Sequence, residues 1–190
     1  ENSTGQLAIR VRHDTKRSWD AYRKFAWGKD VLLPLGKSGM NWYEESLNIS
    51  PIDAFSTLVL TGLTEDADQV LRYVADSVFF NKDFKAKVFE VNIRVLGGLL
   101  SMYQLSGDPK ILEKAVDFGD RLMPAFQSGT GIPYYWVNLE TGVAEGSRVI
   151  LSKGCRIKPI FKDQYYECLK LRTVKQVTVT DILNFNYKEN

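Results

Sequence analysis

The chain has 190 residues, 44% hydrophobic, 12% aromatic and 25% charged, and its 25 Lys and Arg nearly balance 23 Asp and Glu. This composition excludes a collagen, a disordered tail and a disulfide scaffold, and no apolar run approaches the roughly 20 residues that span a bilayer. The charge is uneven: residues 1–146 carry 16 basic and 19 acidic side chains, whereas 147–190 carry 9 and 4, together with both cysteines, Cys155 and Cys168.

In chain order, Trp19, Tyr22, Phe25 and Ala26 recur at helical spacing over residues 16–26, and Gly28 closes the pattern. Pro34, Gly36 and Gly39 punctuate a loop over 32–48. Ser50-Pro51 reads as a helix start, with the hydroxyl as cap, proline at the first position and Asp53 in the first turn. That helix runs through Phe55, Leu58 and Val59 to Gly62. Thr64, with Glu65 and Asp66 behind it, opens the next, whose stripe is Val70, Leu71, Val74 and Val78. So short a connection predicts an antiparallel hairpin.

After the charged residues 81–87, the spacing predicts a longer helix over 88–105 with Phe89, Ile93, Leu96, Leu100 and Tyr103 as its stripe. Asp108-Pro109 repeats the cap-plus-proline start, and Ile111, Leu112, Ala115, Phe118 and Leu122 carry that helix to Met123-Pro124. Gly129 and Gly131 followed by the β-forming run 132–139 predict a short extended or β insertion near 127–141. Beyond Gly146, Tyr165, Tyr166, Leu169, Val174 and Val177 fit one face of a last helix.

Leu60-Thr61-Gly62 and Leu105-Ser106-Gly107 each end one helix just before an acidic helix start. Repeated helical hairpins suit either a solenoid or a barrel of paired helices, so the fold class is all-α. Arg148, Lys153, Arg156, Lys158 and Lys162 show neither a helical stripe nor zinc-ligand spacing, which argues against a nucleic-acid partner. Two cysteines allow at most one disulfide and do not set the redox compartment. The triplets Asn2-Ser3-Thr4 and Asn48-Ile49-Ser50 are glycan acceptors only in a secretory compartment.

The chemistry-bearing segment is Phe89-Glu90-Val91-Asn92-Ile93-Arg94-Val95-Leu96-Gly97-Gly98. Glu90 and Arg94, four apart, share a helix face in the favourable order. A solvated surface pair is one reading; the other is a charged pair in a mostly buried setting, because Phe89, Val91, Ile93, Val95 and Leu96 make the helix apolar on most sides. The stripe continues through Gly97, Gly98 and Ser101. Paired glycines inside a helix cost roughly 1 kcal/mol each against alanine, so close helix packing or ligand approach must require them.

These residues resemble a known family. Ala21-Tyr22-Arg23-Lys24-Phe25-Ala26-Trp27-Gly28-Lys29-Asp30 with Pro34, Ile52-Asp53-Ala54-Phe55-Ser56-Thr57-Leu58, and the helix from Val88 to Ser101 are similar to motifs of the class I α-1,2-mannosidases, glycoside hydrolase family 47. Arg121-Leu122-Met123-Pro124-Ala125-Phe126, then Gly131-Ile132-Pro133-Tyr134 and Asn138-Leu139 to Gly142-Val143, follow in the family's order. The resemblance implies an α/α barrel of helical hairpins, of which residues 1–146 would be an incomplete N-terminal part. It also implies an inverting glycosidase, a bound calcium ion and a substrate of α-1,2-linked mannose on oligomannose N-glycans. Glu90 matches the general acid, and Arg94 the basic residue at the cleaved sugar's subsite. Asp53 matches the first acid of an Asp-x-x-Asp-Thr motif whose second acid is Ser56 here, leaving it as a substrate contact or a helix-start carboxylate.

An inverting glycosidase needs a second carboxyl on the opposite face, and in the family that carboxyl and the calcium ligand lie beyond this stretch. No metal site is therefore expected in this chain, and the chain alone is expected to be inactive. Residues 147–190 depart from the family pattern as the charge reverses and the cysteines enter, as a frameshift or mis-splice would produce. Lys162-Asp163-Gln164-Tyr165-Tyr166-Glu167 resembles a hairpin start, or a later motif with a catalytic Asp163. The resemblance implies the secretory pathway, endoplasmic reticulum or Golgi, or an extracytoplasmic location. The alternative function is mannose recognition without turnover in glycoprotein quality control.

Overall fold

In a computed structural model, residues 3–128 and 133–146 are described. The last predicted helix, the tail 147–190 with its cysteines and Asp163, and Asn2 lie outside the described residues. Helix α1 (Ser3–Ala26) begins well before the apolar stripe that announces it. Its residues 4–14 are exposed, Leu7, Ile9 and Val11 included, so no buried periodicity marks that half. Trp19, Tyr22 and Ala26 bury the second half, and Gly28 (φ +76°) ends the run in the left-handed region that favours glycine.

The expected loop over 32–48 contains a hairpin. Strands β1 (Val31–Leu33) and β2 (Ser38–Met40) pair antiparallel, with Leu32 opposite Gly39. Three residues per strand give too little alternation to read from sequence. Gly39 is required by close approach, since a Cβ there would lie 2.6 Å from Lys29 Cγ and 3.0 Å from Ala26 Cβ.

The chain then wraps around one carboxylate. Asp30 is fully buried. Its Oδ2 accepts from the Trp42 N–H (2.9 Å), and its Oδ1 from the N–H groups of Leu47 (2.8 Å) and Ile49 (3.1 Å) and the Ser46 hydroxyl (3.0 Å). Four donors, rather than a cation, compensate the buried charge. The Ile49 N–H is the first of helix α2 (Ile49–Leu60), so the helix is capped from 19 residues upstream. This corrects the predicted start. Ser50 does not cap the helix, because its hydroxyl donates to the Asp30 carbonyl (2.6 Å). Asp53 lies past the first turn, which has no acidic residue. Asn48 adopts φ +57° and is 8% exposed, its Oδ1 accepting from the Tyr73 hydroxyl at 2.7 Å.

Helix α2 closes with Leu63 N–H bonded to Leu58 O (2.9 Å) around Gly62 (φ +71°), and α3 (Thr64–Ser77) follows and packs on it. Val70, Val74 and Val78 are buried as the stripe requires, with Ala67 beside them. Asp66 in the first turn is also buried, held by Arg23 (2.6 Å) and Lys16 (3.3 Å) of α1.

Strand β3 (Lys85–Lys87) leads straight into α4 (Val88–Val91), a π turn (Asn92–Leu96) and α5 (Gly97–Ser106). This is the expected long helix, with one wider turn inserted. The side it buries is Val88, Val91, Val95, Leu99 and Met102, while Phe89 and Ile93 of the predicted stripe are exposed. Two apolar faces compete in this sequence, and contact with α2 and α6 selects between them. Helix α6 (Pro109–Leu122) starts as predicted, with Asp108 accepting from the Lys110 N–H at 2.9 Å, and ends in a 3-10 turn at Met123–Phe126. The β insertion is β4 (Trp136–Asn138) and β5 (Ala144–Glu145), and its partner is β3. Lys87 pairs with Trp136, and Val88, first residue of α4, donates its N–H to Tyr135 O (3.0 Å). The described residues are thus mostly helical, stacked as hairpins whose core includes Val70, Leu99, Ile111 and Phe118.

The paired glycines now separate. A Cβ on Gly98 would lie 2.7 Å from Ile52 Cγ2 and 3.0 Å from Ile52 O of α2, whereas one on Gly97 would meet only Asn92 O at 3.7 Å. Close helix packing therefore explains Gly98 alone. Gly98→Ala is expected to cost about 1–3 kcal/mol by overpacking, and Gly97→Ala to gain about 0.5–1 kcal/mol of helix propensity, both measured by urea unfolding. Asp30→Ala strands three backbone N–H groups and is expected to cost at least about 3 kcal/mol in the same assay; a loss below about 1 kcal/mol would show that the loop does not depend on it.

Candidate functional site

The two elements that matter here are α2, whose start is fixed by Asp30, and the helix that opens at Val88. Tyr43 ties them: its hydroxyl accepts from the Lys87 N–H (3.1 Å) and its ring stacks on Phe84, 5.1 Å between centroids. Burial pushes the Tyr43 phenol up from its ordinary value, opposed in part by the Lys87 hydrogen bond. The backbone at Lys87, immediately before the helix turn that carries Glu90, is therefore held from both the loop and the sheet.

On this frame three predicted residues come together. Arg94 Nε donates to Glu90 Oε2 at 3.0 Å, and Arg94 NH1 donates to Asp53 Oδ2 at 3.0 Å. One guanidinium thus joins a carboxylate of its own helix to one from α2. The Glu90 hydrogen bond first, and then that of Asp53, holds Arg94 above its ordinary value, so it remains a cation. Asp53 is accordingly a partner of Arg94 and not a helix-start carboxylate. Arg94 sits in the middle of the π turn, a wider turn that recurs at functional sites.

A fourth member was not foreseen. Trp42 lies with its ring centre 5.4 Å from the Arg94 guanidinium carbon, a cation over an aromatic face. Nothing periodic marks Trp42, which belongs to the loop around Asp30 and owes its place to its N–H bond with that carboxylate.

The expected burial of the pair is corrected. Glu90, Arg94 and Asp53 side chains are 32%, 38% and 43% exposed, and Phe89 and Ile93 beside them are open to solvent. Such an arrangement can reach a ligand from solution. Oε2 of Glu90 is occupied by Arg94; among the described residues its Oε1 has no hydrogen-bond partner and is available to a ligand oxygen. Asp53 also lines an open groove of about 780 Å³ between α1 and α2.

The profile described as glycosyl hydrolase family 47 matches residues 14–154. The chain belongs to this family. It is 47% identical over 131 residues to the endoplasmic reticulum mannosyl-oligosaccharide 1,2-alpha-mannosidase of Homo sapiens, covering 69% of this chain and 18% of that protein. It is 45% identical over 139 residues to a mannosyl-oligosaccharide 1,2-alpha-mannosidase of Arabidopsis thaliana, covering 73% and 25%. Among solved structures, an alpha-1,2-mannosidase from Trichoderma reesei superposes with TM-score 0.68 at 29% identity, covering 75% of this chain and 32% of that one. The chain spans about a fifth to a quarter of the length of the curated relatives named here. The family match runs past Gly146 to residue 154 and leaves both cysteines outside it.

The calcium ion implied by the family 47 resemblance does not fit the described residues. Among them, no group of three or more His, Cys, Asp or Glu side chains gathers as a metal site would need.

Arg94 makes two ion pairs, yet all three partners are about a third or more exposed, where such pairs are worth little. Arg94→Met is therefore expected to change unfolding stability by less than about 1 kcal/mol, measured in urea. A loss above about 3 kcal/mol would make the bridge a structural element instead.

Proposed function

We propose that this chain supplies the acid side of an inverting α-1,2-mannosidase acting on oligomannose N-glycans, within an α/α barrel of which the described hairpins form one part. The supporting observation is the Arg94 bridge. Glu90 is the general acid: it gives a proton to the glycosidic oxygen as the bond to the anomeric carbon breaks. Water adds to that carbon from the opposite face and loses its proton to a second carboxylate, and the two carboxyls of an inverting pair stand about 6.5–9.5 Å apart. Asp53 shares an arginine with Glu90, so it serves to aim Arg94 at the cleaved sugar rather than as that base.

Arg94 has two tasks in this reading. Its Nε–H fixes the Glu90 carboxyl so that one oxygen faces the substrate, and its remaining N–H groups donate to sugar hydroxyls. Trp42 holds the guanidinium plane. The base, and the calcium ion that the resemblance implies, would come from residues outside those described. The family and the relatives named for the endoplasmic reticulum support a place in the secretory pathway. Among the described residues, no helix is long and apolar enough to cross a membrane.

The test grafts residues 14–146 onto the matching stretch of the Homo sapiens relative and follows α-1,2-mannobiose hydrolysis. The graft is expected to turn over, and Glu90→Gln within it to lower kcat by about 10²–10⁴-fold with KM changed little. The 190-residue chain by itself is expected to release no mannose above its own Glu90→Gln control. Undiminished turnover by the Glu90→Gln graft would remove Glu90 from the acid role; sugar binding by an inactive graft would favour recognition without turnover.

A further inference from the structure

Next to the Arg94 bridge lies a second open groove of about 650 Å³, to which the chemistry above assigns nothing. Trp42 and Trp136 line it, together with Tyr43. Trp42 is shared: it packs against Arg94 and also lines this groove, so the groove adjoins the proposed acid site at that residue. Trp136 comes from β4, directly across the ladder from Lys87, and the Lys87 ammonium lies 5.6 Å from the Trp136 ring centre.

The charges around these rings select the ligand class. Lys85 and Lys87 face Glu44 and Glu145, two of each sign, and Lys85 is paired with Glu145. A balanced set creates no net field for a phosphate, an acidic peptide or a nucleic acid. It does present both donors and acceptors, as hydroxyl groups require, because each hydroxyl both gives and accepts a hydrogen bond. Indole faces complement the C–H side of a pyranose, whose weakly positive hydrogens meet the negative ring face. Flat apolar faces rimmed by neutralised charges describe a site for an uncharged sugar.

We infer that the Trp42–Trp136 groove is a platform for a further sugar of the same oligosaccharide, binding a pyranose beyond the linkage held at Glu90 and Arg94. The inference rests on the proposed mannosidase reading and adds to it a determinant of substrate length. Trp136 is the discriminating residue, since its side chain takes no part in the Arg94 bridge.

The experiment titrates the 190-residue chain with α-1,2-mannobiose and with an oligomannose of at least five sugars, following tryptophan fluorescence and calorimetry, with circular dichroism as the check on folding. The longer sugar is expected to bind about tenfold more tightly, a difference of about 1.4 kcal/mol. Trp136→Ala should abolish that gain and leave mannobiose binding unchanged, and Trp136→Phe should keep most of it. In the unsubstituted chain, saturation transfer between pyranose protons and the Trp136 indole should be seen, a reading that stands even if Trp136→Ala does not fold. Equal affinity for the two sugars, a folded Trp136→Ala that keeps the gain, or no transfer to the Trp136 indole overturns this inference alone. Binding of neither sugar also overturns this inference, while turnover by the graft decides the mannosidase reading separately.

Discussion

The carboxylate of Asp30 is the constraint on which the arrangement hangs. A buried negative charge without a cation must collect hydrogen bonds, and the nearest unpaired donors are backbone N–H groups. By taking those of Trp42, Leu47 and Ile49, Asp30 turns residues 41–48, which have no helix or strand of their own, into a fixed strap. One end of the strap delivers Trp42 to the site and the other sets the start of α2, the helix that carries Asp53 beyond its first turn. The residues that meet at Arg94 therefore depend on a group that touches only one of them, through the Trp42 N–H.

The second requirement is registration between α2 and the helix carrying Glu90 and Arg94. Gly98 against Ile52 sets how closely the two approach, and the π turn sets the direction in which Arg94 leaves its helix. The small sheet holds the start of that helix through Tyr135 O and the Lys87 N–H bond to Tyr43. Loop, sheet and helix packing converge on one guanidinium, whose energetic weight in folding is small and whose value is positional.

Much of this was legible in the sequence because it rests on local rules. Asp108-Pro109 caps α6 as its spelling demands, and the Val70, Val74 and Val78 stripe is buried. Glu90, Arg94 and Asp53 could be named because helical spacing and family motifs point at them, and the structure brings them together. What stayed hidden is non-local. Ser50-Pro51 has the form of a helix start, yet the cap is Asp30, 19 residues away. Phe89 and Ile93 satisfy the same periodicity as the stripe that is buried, and only the position of α2 decides between them. Trp42 and the pairing of β3 with β4 have no periodic signature at all.

The burial of Asn48 has a consequence in time. Its triplet with Ile49 and Ser50 is an acceptor for oligosaccharide in an extended chain. Once the strap has closed, the amide carbonyl is engaged by Tyr73, and the Ser50 hydroxyl that completes the triplet is engaged by the Asp30 carbonyl. With Asn48 only 8% exposed, attachment there has to precede closing of the strap. In a compartment that adds such chains during synthesis, the time the nascent polypeptide takes to close the strap limits modification at Asn48.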